Sequence, residues 1–155
     1  MSEAAIGIHR QIRTSIVAAV EGLSARQLHA MPTGFDNNVA WNLGHIIVVQ
    51  QRLLYGTSGL PLSVSEEMIP LYLPNTSPAD WETEPDAEAL VPMLMAQQEQ
   101  LEADYENGLF STRQFKEFRT RSGLTLNDID SALVFNTYHE AQHFGFIQAL
   151  INLVG

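Results

Sequence analysis

Cysteine does not occur anywhere in the 155 residues of the chain. Without cysteine the protein can form no disulfide, cannot bind zinc through thiolates and has no thiol nucleophile of its own. Any thiol that takes part in its chemistry must therefore arrive as a substrate.

Positive charge is scarce, because eight Lys and Arg residues stand against 18 Asp and Glu residues, for a formal net charge of −10. A chain this acidic repels nucleic acid phosphates and anionic membranes, so we expect neither as a partner. Apolar runs reach only four or five residues, as at 46–49, far below the ~18 that span a bilayer. The opening MSEAAIGIHR has no basic start followed by an apolar core, so we expect no secretory signal and a cytoplasmic protein.

Apolar residues at helical spacing dominate the sequence and predict an all-α protein with a single domain at 1–155. Long helices are predicted near residues 3–22, 39–55, 86–107 and 128–153. The first has an apolar stripe that leaves Arg10 and Arg13 outside it and consists of Ile8, Ile12, Ile16, Ala19 and Leu23. Four long helices of this kind are typical of a four-helix bundle.

Residues 56–85 hold five of the seven prolines and predict a long irregular crossover between the second and third long helices. A loop of this length in a small domain often covers a functional site. Tyr72 and Trp81 are candidates for aromatic walls of such a site.

His139 and His143 stand four residues apart in the last predicted helix, which places both side chains on one face. Two imidazoles so placed can occupy adjacent corners of one metal ion's coordination shell. Their stripe is mostly apolar and is predicted to face the bundle interior; it consists of Ala132, Asn136, His139, His143, Phe146, Leu150 and Leu153. The alternative is a pair of core histidines whose ring nitrogens are satisfied by hydrogen bonds.

His45 is the best candidate for a third ligand, because it lies midway along the most apolar predicted helix. A lone histidine there would be an ordinary core residue, but two more imidazoles are predicted to face the same core. Gly44 and Gly145 each cost a helix about 1 kcal/mol relative to Ala. Close approach of another helix or space beside a metal would explain them, and the alternative is ordinary small-residue packing.

The segment 139–143 also spells H-E-x-x-H, the zinc metalloprotease motif, but no Asp, Glu or His follows it as a third ligand. Glu140 could act on a metal-bound water as a catalytic residue, or be an exposed helix carboxylate.

Asn136 could orient an imidazole or a bound ligand, or bond to a neighbouring helix. Arg52, two turns after His45, could bind an anionic substrate group, or be a surface or interface ion-pair residue.

Two segments together, WNLGHIIVVQ at 41–50 and FNTYHEAQHFGFIQALINLVG at 135–155, resemble the DinB-like (YfiT-like) superfamily of metal-dependent enzymes. The resemblance extends over nearly the whole chain and implies a four-helix bundle of up-down-down-up type. It also implies a divalent metal bound by three histidines, at positions that correspond to His45, His139 and His143. Imidazole ligands suit several metals, of which we expect zinc or nickel first and iron next.

Related members include thiol-dependent S-transferases and isomerases that use low-molecular-weight thiols such as bacillithiol or mycothiol. The resemblance thus implies a metalloenzyme, either a thiol-dependent S-transferase or a related small-molecule transferase or hydrolase. The alternative is a non-catalytic helical module that binds a metal or a small molecule, and a zinc metalloprotease is less favoured. Family members are often dimeric, so we also expect a homodimer.

Overall fold

Four long helices and one short one carry the fold in the computed structural model, which describes residues 3–155. In chain order the helices are α1 Glu3–Val20, α2 Ala25–His29, α3 Val39–Gln50, α4 Ala87–Glu106 and α5 Ile129–Val154. The only strands among the described residues, β1 Phe118–Arg119 and β2 Thr125–Leu126, form one antiparallel hairpin. The prediction of an all-α fold with four long helices is confirmed.

The helices begin where polar side chains can satisfy the free amides of their first turns. Ser24 starts α2 with a capping box, and Asp128 starts α5 in the same way. The side chain of Asn38 starts α3 by accepting the backbone N–H of Trp41 at 2.8 Å. Beyond Gln50 this helix continues as a π-helical segment, Gln51–Gly56.

Helix α3 is the central helix of the bundle, since eleven of its twelve residues are buried. Helices α1 and α3 each pack against both α4 and α5, so α1 and α3 lie diagonally opposite one another. None of the helices in the described residues is long and apolar enough to cross a membrane.

The crossover between α3 and α4 is irregular, as predicted, apart from two short 3-10 turns at Ile69–Leu71 and Pro78–Asp80. It packs the ring of Tyr72 directly against the backbone of Gly44, where a Cβ atom would overlap the ring. The close approach inferred for Gly44 is therefore to the crossover and not to another helix. Gly145, in contrast, has open space beside it.

The predicted apolar stripes of α1 and α5 are shifted from the faces that the structure buries. On α1, His9 and Arg13 are fully buried while Ile8 is 57% exposed, because the polar side chains find partners on other helices. On α5 the buried face is centred on Asn136, Glu140 and Ile147. The predicted stripe is thus wrong in part, since two of its members, Phe146 and Leu153, are 52% and 57% exposed.

Candidate metal centre

Three histidines from two helices meet at the edge of the bundle core. His45 projects from α3, and His139 and His143 project from α5 one turn apart. One ring nitrogen from each residue lies within 4.8 Å of the other two, and the Nε2 atoms of His45 and His139 are 3.2 Å apart. His45 is buried, whereas His139 and His143 are half-buried. The structure therefore brings together the three residues that the sequence singles out.

The orientation of His45 is fixed from two sides. Its Nδ1 lies 2.7 Å from the backbone carbonyl of Tyr72 in the crossover. A carbonyl oxygen can only accept, so this nitrogen carries the proton and Nε2 carries the lone pair. The indole of Trp41 stacks on the imidazole, with ring centroids 4.5 Å apart and planes 14° from parallel.

The other two histidines have different surroundings. Asn42, one helical turn before His45, places its Oδ1 2.7 Å from Nδ1 of His143. Phe135 stacks on His139, with centroids 6.4 Å apart. The Nδ1 of His139 is buried and has no hydrogen-bond partner among the described residues.

The site keeps its imidazoles neutral. Burial lowers the pKa of His45 to about 4, although its hydrogen bond to the Tyr72 carbonyl acts in the opposite direction. Burial also lowers the pKa of His143 to about 3, helped by the charges that His139 and His45 would carry. The pKa of His139 is lowered by the same desolvation. At neutral pH all three rings therefore offer lone pairs and no positive charge.

These residues fit a divalent metal ion. Tetrahedral zinc with Zn–N bonds of ~2.0–2.1 Å separates two ligand nitrogens by about 3.3 Å, close to the 3.2 Å between His45 and His139. Within residues 3–155, no fourth His, Cys, Asp or Glu joins the group. Three protein ligands leave a coordination position open, which is the pattern of catalytic and not of structural zinc.

One known protein family matches a range of the chain that includes this candidate site. Residues 9–147 match the DinB superfamily, and this range contains all three histidines. The chain belongs to the DinB superfamily. Among curated proteins, none matches it.

In this DinB superfamily protein the side chain of Glu140 is bound by Arg13, which is not the catalytic role on a metal-bound water that the sequence suggests. Its two oxygens bind the guanidinium of Arg13 at 2.9 and 2.7 Å, and both side chains are fully buried. Burial alone would raise the pKa of Glu140, but the charge of Arg13 and its hydrogen bonds to the carboxylate outweigh it and hold that pKa well below its usual range. The carboxylate is neither exposed nor free to serve a metal-bound water, which also removes the general base of the H-E-x-x-H protease alternative.

Asn136 belongs to the same buried network. Its Nδ2 donates to Nε2 of His9 and to Oε1 of Glu140, each at 3.0 Å. The structure thus gives it a partner on a neighbouring helix and no bond to the three imidazoles. Sequence reasoning missed His9 and Arg13 as members of this network, because nothing local distinguishes a buried Arg from an exposed one.

The two arginines that bear on substrate binding lie in different elements. Arg52 is exposed on the π-helical segment after α3. Arg121 lies in the turn of the β hairpin, and its charge is among those that lower the pKa of His45. Sequence reasoning missed Arg121, since only the folded chain brings the hairpin turn within electrostatic reach of α3.

Proposed function

We propose that this DinB superfamily protein is a metal-dependent enzyme that transfers a small nucleophile, a thiol or water, to an electrophilic small molecule. In this proposal the Nε2 atoms of His45, His139 and His143 hold a divalent cation, zinc or nickel first and iron next. A cation bound there would lower the pKa of a coordinated thiol or water and so supply the nucleophile at neutral pH. The observation that carries the proposal is the convergence of three neutral imidazoles without a fourth protein ligand.

The residues around the imidazoles support this chemistry. Trp41 and Phe135 stack on the rings of His45 and His139 and give both imidazoles an apolar surrounding. Uncharged ligands leave the charge of a bound cation uncompensated, which favours ionisation of a bound thiol or water. Because the chain has no cysteine, a thiol nucleophile would come from a second substrate, such as the low-molecular-weight thiols that the family resemblance implies.

An anionic group on the substrate would suit the charge near the site. Arg121 is exposed to solvent, where a substrate can reach it. Its charge is among those that lower the pKa of His45, so it acts within electrostatic reach of the three imidazoles. We therefore assign Arg121, in preference to Arg52, to the binding of an anionic substrate group.

The test begins with elemental analysis of protein purified without a His tag or chelator. The metal-loaded protein is then assayed with a panel of thiols and electrophiles beside the variant His139→Ala. We expect about one metal ion per chain and a rate that the variant loses. Equal rates for the two proteins would remove the case for metal-dependent catalysis and favour a non-catalytic binding module.

A homodimer, the absence of nucleic acid and membrane partners, and a cytoplasmic location remain predictions. Light scattering at micromolar concentration tests the first, and a particle mass of only 17.2 kDa would contradict it.

A further inference from the structure

Asn42 is a buried polar residue that joins α3 to α5 at the metal centre. It has no exposed surface, and its Oδ1 lies 2.7 Å from Nδ1 of His143. Two other oxygens flank its amide group: the backbone carbonyl of Asn38 at 2.8 Å and Oδ1 of Asn37 at 3.0 Å, both from Nδ2.

These contacts determine which way the amide of Asn42 is turned. The carbonyl of Asn38 can only accept a hydrogen bond, so the NH₂ group of Asn42 must face it. The carbonyl oxygen of Asn42 then faces His143 and can only accept in its turn. The proton of a neutral His143 must therefore sit on Nδ1, which leaves the lone pair on Nε2.

We propose that Asn42 is a positioning residue that locks His143 in the Nδ1–H tautomer and so directs its Nε2 lone pair at the metal. This inference rests on the proposed metal site and extends it beyond the three ligands. Without the lock, a neutral imidazole can carry its proton on either nitrogen, and the Nε2–H form cannot bind a metal through Nε2. Tyr72 does the same for His45 through a backbone carbonyl, so Asn42 is the side chain through which substitution can test such a lock.

Residues at the start of α3 hold the side-chain amide of Asn42 in this orientation. Asn38 accepts the side chain of Asn42, caps the helix through Trp41 N–H, and donates from its own Nδ2 to the carbonyl of His29 at 2.9 Å. The orientation of a ligand on α5 thus depends on how α3 begins and on its connection to α2. Asn37 contributes only one of the two acceptors for the Asn42 amide. Replacing Asn37 should therefore weaken the orientation of that amide without removing it.

The test compares three variants of the full chain with the wild type. Asn42→Leu removes the acceptor and both donors at similar volume. Asn42→Asp keeps an acceptor for Nδ1–H but loses the donors to Asn37 and Asn38. Gln50→Leu is the matched control, because Gln50 is equally buried on the same helix and its side chain has no hydrogen bond to any of the three histidines.

The first readout is the tautomer of His143 in metal-free protein, from the ¹⁵N shifts of its two ring nitrogens. We expect the Nδ1–H form in the wild type, in Asn42→Asp and in Gln50→Leu, and a shift toward the Nε2–H form in Asn42→Leu. The second readout is zinc affinity by competition with a chelator. Asn42→Leu should bind zinc 10- to 100-fold more weakly, the usual effect of removing a residue that orients a metal ligand, whereas the other two stay close to the wild type.

The outcomes separate this inference from the proposed function. An unchanged tautomer in Asn42→Leu would overturn the role of Asn42, and so would loss of the Nδ1–H form in Asn42→Asp. If Asn42→Leu fails to fold, the tautomer of His143 in Asn42→Asp decides whether Asn42 has this role. A wild type that binds no zinc would overturn the proposed metal site, while the tautomer comparison would still decide what Asn42 does.

Discussion

The guanidinium of Arg13 on α1 holds both carboxylate oxygens of Glu140 on α5, and neither side chain has any exposed surface. A further N–H of Arg13 donates to the carbonyl of Leu94 on α4 at 2.8 Å, and Asn136 donates to the carboxylate. One buried ion pair therefore ties three helices together. It also holds α5 in place at the residue that follows His139.

Replacing Glu140 by Gln should destabilise the fold strongly. Removal of one partner leaves the charge of Arg13 buried without compensation, which typically costs ~3–5 kcal/mol of unfolding free energy. Urea denaturation of the metal-free protein measures the loss. The control is Glu102→Gln, since Glu102 binds Arg10 of the same helix α1 through two hydrogen bonds, but both side chains are only partly buried.

The control should lose less, ~1 kcal/mol, because solvent reaches this pair and screens its charges. Similar losses for the two variants would contradict a structural role for the buried pair. A Glu140→Gln protein that is stable and binds zinc but has lost activity would instead restore Glu140 as a catalytic residue.

The sequence predicts the helices of this protein well because helical periodicity is a local signal. It fails at Arg13 and Glu140 because whether a charge is buried depends on a partner more than a hundred residues away. An arginine outside an apolar stripe is therefore assigned to the solvent, and the neighbouring Ile8 to the core. The structure reverses both assignments.

Gly44→Ala should weaken metal binding, because the new methyl group would overlap the ring of Tyr72. The displaced Tyr72 carries the backbone carbonyl that orients His45. Tyr72 lies on a crossover outside regular helices, so we expect it to move, with a loss of both stability and zinc affinity. Thermal unfolding and chelator competition measure the two effects.

Gly145→Ala is the control for Gly44→Ala, since both glycines lie inside helices and a methyl group at 145 meets nothing within 4 Å. It should gain up to ~1 kcal/mol of stability from helix propensity alone. A Gly44→Ala protein that is stabilised like the control would show that the Tyr72 contact is not required.

The metal-free protein should lose stability as the pH falls from about 6.5 toward 4. His45 ordinarily has a pKa of 6.5, and burial lowers it to about 4 in the folded chain. Between these values the unfolded chain binds a proton that the folded chain does not, so acid favours unfolding. Each unit of pKa difference contributes about 1.4 kcal/mol.

Urea denaturation at pH 7.5, 6 and 5 with a chelator present measures this dependence. His143 adds to the slope in the same direction, because its pKa is also lowered, to about 3. The variant His45→Gln should have a shallower slope over the same range. A flat stability profile between pH 7.5 and 5 in the wild type would be inconsistent with neutral buried imidazoles.

The three histidines of the candidate metal centre could be found from the sequence, but the residues that orient them could not. The i, i+4 spacing of His139 and His143 is a local feature, and an apolar helix containing His45 pointed to the same core. The bonds from Asn42 and from the carbonyl of Tyr72 depend on how α3, α5 and the crossover pack. Every residue type has a backbone carbonyl, so the identity of residue 72 does not reveal the bond that its carbonyl makes to His45.

Arg121 and Arg52 are the two arginines that could bind an anionic group of the substrate. If Arg121 binds an anionic substrate group, Arg121→Gln should raise KM for an anionic electrophile and leave kcat nearly unchanged, because the lost interaction is made before and during the reaction alike. A neutral analogue of the same electrophile should react equally with both proteins. The effect should also shrink at high salt, since Arg121 is exposed.

Arg52→Gln provides the comparison, because it removes the same charge from another exposed position. It should leave KM unchanged if the hairpin turn faces the substrate. The opposite result, a higher KM in Arg52→Gln and none in Arg121→Gln, would place the anionic group at the end of α3. That outcome would favour the residue chosen from the sequence over the one chosen from the fold.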